Sequence, residues 1–179
     1  MTDATYWAAL GDPWRATGAA GWEDLGDVRQ WLAGTGFTLD GRVLDIGCGT
    51  GRLSALCTDY TGVDITPPFV EYARSQGLNA SVISGPGDLP GGLFDRVCLL
   101  SVFTHIPRDE RVAYLASIRP RLTGEALIDI LPGPDGGGVG AMYSDPDTFE
   151  SDLAAAGFSI ISSFDWDARS AHHRYYRIQ

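Results

Sequence analysis

The sequence predicts an α/β fold in which helices cover both faces of a mostly parallel sheet. From residue 41 onward, short apolar runs typical of buried strands alternate with stretches of helical periodicity. The first run, 43–46, is followed at once by Gly47, Gly49 and Gly51, which allow a strand to turn sharply and open a helix near Arg52. The bare backbone of such a turn, with the positive end of the helix beside it, predicts the floor of a binding site.

Composition and charge limit the classes of protein to consider. The 179 residues are 44% hydrophobic, as expected for one domain with a sizeable core. A formal net charge of −10 repels phosphate backbones and anionic lipid, so a nucleic-acid partner is disfavoured. The apolar runs are too short to span a membrane, and the N-terminal residues lack the basic cluster of a signal peptide. We therefore expect a cytoplasmic protein that does not bind membranes.

The cysteines and the paired histidines do not favour a metal site. Cys48, Cys57 and Cys98 are widely spaced in apolar segments, as reduced core thiols are. His172 and His173 are neighbours on a predicted strand, so their side chains should point to opposite faces. We expect no bound metal ion.

The first 40 residues are predicted to form an aromatic-rich helical arm ahead of a core domain, 41–179. Trp7, Trp14, Trp22 and Trp31 recur among glycines and alanines without strand alternation, which indicates short helices over an apolar surface. The arm is interpreted either as a lid over the binding site or as packing against the sheet. A helix is expected to include 27–32.

The core domain is predicted to alternate strands and helices until its last third. Strands are predicted at 43–46, 60–64, 80–84, 94–100 and 125–131, with helices at 51–58, 67–76 and 108–119. The link 85–93 is too rich in glycine and proline for a crossover helix, and the composition of 132–144 predicts a mobile loop. A last helix at 145–156 and strands at 158–164 and 173–178 complete the domain.

The spacing of the glycine-rich loop separates three kinds of turn. A phosphate-binding P-loop needs Gly-Lys followed by Ser or Thr, and a dinucleotide fingerprint needs its third glycine where this chain has Arg52. An ordinary strand-to-helix turn rarely combines an acidic residue with glycines spaced in this way. The segment 44–51, Leu-Asp-Ile-Gly-Cys-Gly-Thr-Gly, resembles motif I of the class I S-adenosylmethionine-dependent methyltransferases.

This resemblance covers roughly residues 40–179 and implies both a fold and a cofactor. The implied fold is a Rossmann-like sheet of seven strands in the order 3-2-1-4-5-7-6, whose last, inserted strand is antiparallel. The implied cofactor is S-adenosylmethionine, which leaves as S-adenosylhomocysteine. The loop residues Gly47, Cys48 and Gly49 would pack against its methionine moiety and its ribose.

The resemblance places the adenosine contacts at the ends of the second and third strands. Asp64 would accept hydrogen bonds from the ribose hydroxyls, the alternative being a capping or solvated carboxylate. Ile65 would lie against one face of the adenine. Asp88 would accept from the adenine amino group and the Leu89 N–H would meet a ring nitrogen, although ordinary turn chemistry also explains this Gly-Asp-Leu segment.

The methionine contacts and the catalytic residues follow from the same resemblance. Asp45 and the Ser101 carbonyl would hold the ammonium group of the methionine moiety. His105 is similar in position to the catalytic histidine of phosphoethanolamine methyltransferases, with Tyr6 of the arm as its latch. Because the ordinary pKa of histidine is near neutrality, His105 could take the acceptor's proton, the alternative being a residue that only packs.

The sequence therefore predicts an enzyme that methylates an oxygen or nitrogen of a small or medium-sized metabolite. The segment 101–104 lacks the Asn/Asp-Pro-Pro-Tyr/Phe pattern of enzymes that methylate amino groups of bases or of glutamine. Two alternatives stay open. One is a protein or peptide methyltransferase with an uncapped site, and the other is a non-catalytic module that binds the cofactor or a partner.

Overall fold

Helices and strands alternate along most of the chain, as the sequence predicts. The computed structural model describes residues 25–138, 141–168 and 171–179. The helices are α1 (Leu25–Thr35), α2 (Pro67–Ser75), α3 (Arg108–Ile118) and α4 (Pro146–Ala155). The strands are β1 (Arg42–Ile46), β2 (Asp59–Asp64), β3 (Ala80–Val82), β4 (Phe94–Leu99), β5 (Leu122–Pro132), β6 (Gly136–Gly138), β7 (Ala141–Ser144), β8 (Ile160–Ala168) and β9 (Ala171–Ile178). Single 3₁₀ turns lie at Arg52–Leu56, Pro86–Asp88, Phe103–His105 and Arg119–Arg121.

The main sheet runs β3-β2-β1-β4-β5-β9-β8 from edge to edge. The strands β1 to β5 pair in parallel, whereas β9 is antiparallel to both β5 and β8. Since β8 and β9 are the sixth and seventh predicted strands, the predicted order 3-2-1-4-5-7-6 with an inserted antiparallel strand is confirmed. The hairpin of β6 and β7 is additional, and β7 pairs with the end of β5.

Apolar side chains build a core on each face of this sheet. In β1, Val43 packs in a cluster with residues of α1, whereas Leu44 and Ile46 pack in another with residues of α3 and α4. Successive strand residues point to opposite faces, so a strand covered on both sides needs apolar residues at consecutive positions. The prediction of helices on both faces is confirmed.

Helix α1 packs on the sheet. Trp31 is 2% exposed, and its ring centroid lies 4.8 Å from that of Tyr175 and 6.2 Å from that of Phe164. This part of the predicted arm therefore packs against the sheet, and the choice between a lid and a packing role for the arm stays a prediction. The division into an arm, 1–40, and a core stays a prediction, because residues 1–24 lie outside the described residues.

The helix predicted at 51–58 is instead the 3₁₀ turn Arg52–Leu56. Gly51 leads into the turn with a φ of 83°, and β2 already begins at Asp59, which leaves too few residues for a regular helix. So short an element has little dipole. The expected electrostatic help from the end of a helix is therefore absent at this turn.

The segment 132–144, predicted as a mobile loop, contains the β6–β7 hairpin and an anchor to α3. Arg111 of α3 is 1% exposed, and its Nη1 lies 3.0 Å from Asp135 and 3.9 Å from Asp152 of α4. Its Nη2 donates to the Tyr143 carbonyl at 3.4 Å. A buried guanidinium with these partners ties the hairpin to two helices.

The described cysteine and histidine side chains do not cluster into a possible metal site. Cys48 and Cys98 are buried free thiols and Cys57 is half-buried. His172 is exposed and His173 is buried, as neighbours on a strand should be. Among the described residues, no three His, Cys, Asp or Glu side chains are grouped as a metal ion would need. None of the helices in that part of the chain is long and apolar enough to cross a membrane.

Candidate functional site

A cavity of about 300 Å³ lies at the carboxyl ends of β1, β2, β3 and β4. The ends of neighbouring parallel strands meet at one edge of a sheet, so groups far apart in sequence converge there. The predicted cofactor residues that line the cavity are Asp45, Gly47, Cys48, Gly49, Asp64, Ile65 and Ser101. Other parts of the wall are supplied by Val28, Leu53, Ser84, Leu100, Val102, His105 and Tyr114.

The glycine loop forms the floor of the cavity through its shape. Gly47 and Gly49 have φ values of 73° and 54°, a region that side chains disfavour. A Cβ atom on Gly47 would lie 2.5 Å from Val102, so only glycine lets the loop meet the turn after β4. The N–H groups of Gly47 and Cys48 donate to the Val63 carbonyl at 2.8 and 3.0 Å. These two donors therefore serve the loop itself.

Asp64 fixes the loop from the end of β2. Its Oδ2 accepts the Gly49 N–H at 2.8 Å and its Oδ1 accepts the Thr66 N–H at 2.8 Å. Burial raises the pKa of this carboxyl, and the two backbone hydrogen bonds oppose the rise. Because a carboxylate has about four acceptor positions, Asp64 can shape the loop and still accept from a ligand.

Asp45 is a second buried carboxylate at the cavity wall, and Tyr60 of β2 binds it. The Tyr60 hydroxyl donates to Asp45 Oδ2 at 3.0 Å. Gly62 leaves space for this hydroxyl, because a Cβ atom there would lie only 2.7 Å from it. Burial raises the pKa of Asp45 to about 7, opposed by the Tyr60 hydrogen bond and reinforced by the charge of Asp64. A cation in the cavity would favour the ionised form.

Asp88 and Leu89 are not among the residues that line the cavity, and their contacts with the adenine stay a prediction. Asp88 is exposed, and its Oδ2 accepts the Ser84 N–H at 2.8 Å. Leu89 is 4% exposed, and its N–H is directed at the Pro86 carbonyl at 3.5 Å. Turn chemistry therefore describes this segment. It affects the cavity indirectly, through Ser84.

Ser101 lines the cavity from the turn after β4, with a φ of 59°. Its N–H donates to Asp129 Oδ1 at 2.5 Å, and its carbonyl accepts the Thr104 hydroxyl at 3.0 Å. The other carboxylate oxygen of Asp129 lies 2.7 Å from His173 Nδ1. The carbonyl predicted to hold an ammonium group thus already has one donor within the protein.

His105 reaches the cavity from the 3₁₀ turn Phe103–His105. Burial lowers the pKa of its imidazole, and the charge of Asp129 opposes this shift. Burial thus favours the neutral form of the ring, and a role as general base stays a prediction. Tyr6, the predicted latch, lies outside the described residues.

Sequence reasoning missed the partners of the buried carboxylates. Asp129 stands in the apolar run of β5, and a carboxylate there needs a buried partner, which is a signal that could have identified it. The partner, His173, is 44 positions away, and only the pairing of β5 with β9 reveals it. Tyr60 gave no comparable signal, because a tyrosine in a strand is ordinary.

The segment that supplies most of the cavity wall matches a known protein family. Residues 43–124 match the model of a family described as a methyltransferase domain. Among curated proteins, the ubiquinone biosynthesis O-methyltransferase of Xanthomonas oryzae pv. oryzae is 37% identical over 78 residues, covering 37% of this chain and 33% of that protein. The chain thus spans about a third of the length of this relative.

Solved structures extend the likeness over nearly the whole chain. Magnesium protoporphyrin IX methyltransferase from Synechocystis PCC 6803, with bound SAH, has a TM-score of 0.69 at 21% identity, covering 89% of this chain and 83% of that chain. A TehB-like SAM-dependent methyltransferase from Corynebacterium glutamicum has a TM-score of 0.69 at 24% identity, covering 98% of both chains. At these identities the likeness concerns the fold. Residues 43–124 are therefore similar to a methyltransferase domain, and the chain has the fold of these S-adenosylmethionine-dependent methyltransferases.

Proposed function

We propose that this protein binds S-adenosylmethionine in the cavity and transfers its methyl group to an oxygen or nitrogen of a small or medium-sized metabolite. One observation carries the proposal: two buried carboxylates, Asp45 and Asp64, and the imidazole of His105 converge on one cavity of about 300 Å³. The match of residues 43–124 to a methyltransferase domain supports the same assignment.

The cavity suits a ligand that joins an amino acid to a nucleoside. Asp45 can accept from an ammonium group, and Asp64 can accept from ribose hydroxyls at its remaining acceptor positions. Ile65 offers an apolar surface for the base. The bare floor at Gly47 and Gly49 lets the ligand approach the backbone closely. The cavity volume lies within the range of small-molecule sites.

The acceptor side of the cavity is assigned to its apolar wall and to His105. When bound, the cofactor supplies an electrophilic methyl group, so the chain has to orient the acceptor, exclude water and receive a proton. Leu53, Leu100 and Val102 provide apolar surface for this purpose. His105 would hold the released proton on its ring, with Tyr6 as its proposed latch. The curated relative is named an O-methyltransferase, so a hydroxyl acceptor is the first to test.

Binding and product identification test the two halves of this proposal separately. Isothermal titration calorimetry with S-adenosylmethionine and S-adenosylhomocysteine measures cofactor binding by the purified protein. Host extract incubated with methyl-labelled cofactor, followed by mass identification of the labelled product, finds the acceptor. No binding at high micromolar concentration would overturn both parts. A labelled protein would favour a protein methyltransferase, and binding without transfer to any acceptor would favour a non-catalytic module.

A matched pair of substitutions tests the assignment of the adenosine end. At position 64 an asparagine must turn its amide nitrogen toward the N–H of either Gly49 or Thr66, whereas at position 88 an asparagine can still accept the Ser84 N–H. We expect Asp64→Asn to weaken S-adenosylhomocysteine binding by about tenfold or more and Asp88→Asn by about twofold or less. Equal losses would show that Asp88 contacts the cofactor as directly as Asp64.

A further inference from the structure

Ser101 holds a backbone conformation that a serine does not adopt without help. Its φ of 59° makes it the one residue other than glycine with a positive φ in the part of the chain that the structure describes. In this left-handed region the Cβ atom crowds the following carbonyl oxygen. The surrounding structure must therefore hold the turn after β4 in place.

A buried pair from two other strands supplies that support. Asp129 of β5 is 1% exposed, and its Oδ1 accepts the Ser101 N–H at 2.5 Å. Its Oδ2 lies 2.7 Å from Nδ1 of His173, which is also buried and stands on the neighbouring strand β9. Both carboxylate oxygens are thus engaged, one by the turn and one by the imidazole. A charge-assisted hydrogen bond of this kind is among the stronger ones a protein makes.

The turn after β4 sets the position of one wall of the cavity. Leu100, Ser101 and Val102 all line the cavity, and the Ser101 carbonyl accepts the Thr104 hydroxyl at 3.0 Å. The N–H of His105 donates to the Val102 carbonyl at 2.9 Å, which closes the 3₁₀ turn. A change of backbone direction at residue 101 would therefore displace the wall and His105 together.

We propose that Asp129 is a positioning residue, oriented by His173, that holds Ser101 in the left-handed conformation and so sets the cavity wall where the cofactor and the acceptor meet. The consequence for ligand binding rests on the proposed function. Asp129 itself need not touch either ligand. Its effect on binding passes through the Ser101 backbone, which makes the inference separable from a general loss of packing.

Glycine provides the test, because it adopts a φ of 59° without support. Ser101→Gly and Ser101→Ala both remove the hydroxyl and differ in conformational freedom. Each is made with Asp129 present and with Asp129→Ala, and the affinity for S-adenosylhomocysteine is measured by calorimetry. With Asp129 present, we expect the two variants to bind within about threefold of each other. With Asp129→Ala, we expect the Ser101→Ala protein to lose about tenfold in affinity and the Ser101→Gly protein to recover most of it.

A rescue by glycine would support the proposal, and equal losses in both proteins would overturn it. Should Asp129→Ala fail to fold, Asp129→Leu replaces it, because leucine fills the space of the carboxyl group but accepts no hydrogen bond from the Ser101 N–H. His173→Phe removes the donor that orients Asp129, and we expect the same rescue by Ser101→Gly in that background. Failure of the rescue there would remove His173 from the proposal.

Urea unfolding gives a readout that needs no cofactor. With Asp129 present, we expect Ser101→Gly to unfold at a higher urea concentration than Ser101→Ala. Asp129 holds residue 101 in the left-handed conformation, which strains an alanine but not a glycine. With Asp129→Ala, the turn can relax and the difference should shrink. An unchanged difference would overturn the holding role. If the unsubstituted protein bound neither S-adenosylmethionine nor S-adenosylhomocysteine, the proposed function would fail while this series still decided the role of Asp129.

Discussion

The affinity for S-adenosylmethionine should fall as the pH drops from 7 to 6, because Asp45 takes up a proton in that range. Burial raises the pKa of Asp45 to about 7, opposed by the Tyr60 hydrogen bond and reinforced by the charge of Asp64. An ammonium group beside the carboxylate favours the ionised form and lowers this pKa in the complex. Cofactor binding is then coupled to release of the Asp45 proton, so acid opposes binding.

The size of the effect follows from the fraction of ionised carboxylate. With a pKa of about 7, about half of the free protein has an ionised Asp45 at pH 7 and about one molecule in eleven at pH 6. The dissociation constant should therefore rise about fivefold from pH 7 to pH 6 and about tenfold from pH 6 to pH 5. Each tenfold change corresponds to about 1.4 kcal/mol of binding free energy. The amino group of the cofactor stays protonated throughout this range, since such groups have pKa values of about 8.

Calorimetry at half-unit steps from pH 5.5 to pH 7.5, in two buffers of different ionisation enthalpy, measures both affinity and proton release. We expect release of about half a proton per bound cofactor at pH 7 and nearly one at pH 6. Asp45→Asn should bind more weakly with little pH dependence, and Tyr60→Phe should move the midpoint to higher pH by removing a hydrogen bond that favours ionisation. A pH dependence that survives Asp45→Asn unchanged would refute this reasoning and direct attention to Asp64.

Further predictions concern the same site and its supports. Asp64→Ala should weaken cofactor binding by about 10- to 100-fold, because charge-assisted hydrogen bonds are lost; unchanged affinity in the same titration would remove Asp64 from the ribose site. His105→Ala should leave the cofactor affinity unchanged and slow turnover about 100-fold or more if the ring takes the proton, measured with the acceptor once known. Asp45→Asn should raise the free energy of unfolding at pH 8 by about 1 kcal/mol or more. The unfolded chain releases the Asp45 proton near pH 4 and the folded protein only near pH 7, so this carboxyl lowers the stability as the pH rises between these values. Arg111→Met should lower the unfolding free energy by about 3 kcal/mol, because it leaves Asp152 without its ion-pair partner and Asp135 with only the exposed Arg108. A loss below about 1 kcal/mol in urea titrations would contradict that account.

The alternation of strands and helices and the convergence of Asp45 and Asp64 were predictable from local patterns, whereas the strand order followed from the resemblance to a known family. Consecutive apolar residues in β1 indicate a strand buried on both faces, and parallel strands bring their carboxyl ends to one edge. Asp45 and Asp64 end such strands and do line one cavity. The same reasoning leaves Asp88 open, since a Gly-Asp-Leu turn has the same local sequence whether its carboxylate faces a ligand or its own Ser84 N–H.

The supports of the site could not be predicted, because each depends on contacts between distant parts of the chain. Tyr60 reaches Asp45 only because β1 and β2 are neighbours and Gly62 leaves space for the hydroxyl. Asp129 reaches Ser101 because β4 pairs with β5, and it reaches His173 because β9 is inserted beside β5. A single sequence gives the type of each residue but not the pairing that makes them partners.

The bonding of the glycine loop decides how this cavity can recognise a charged ligand. The N–H groups of Gly47 and Cys48 donate to the Val63 carbonyl, and the N–H of Gly49 donates to Asp64. These three residues therefore leave room for a ligand, but their backbone N–H groups are already used within the protein. Recognition then depends on the side chains of the wall, where the carboxylates of Asp45, Asp64 and Glu110 outnumber the guanidinium of Arg52. A pair of buried acceptors selects ligands rich in donors, such as an ammonium group and sugar hydroxyls, and disfavours phosphates, which need donors. The same argument explains why the protonation of one carboxylate should control affinity near neutral pH.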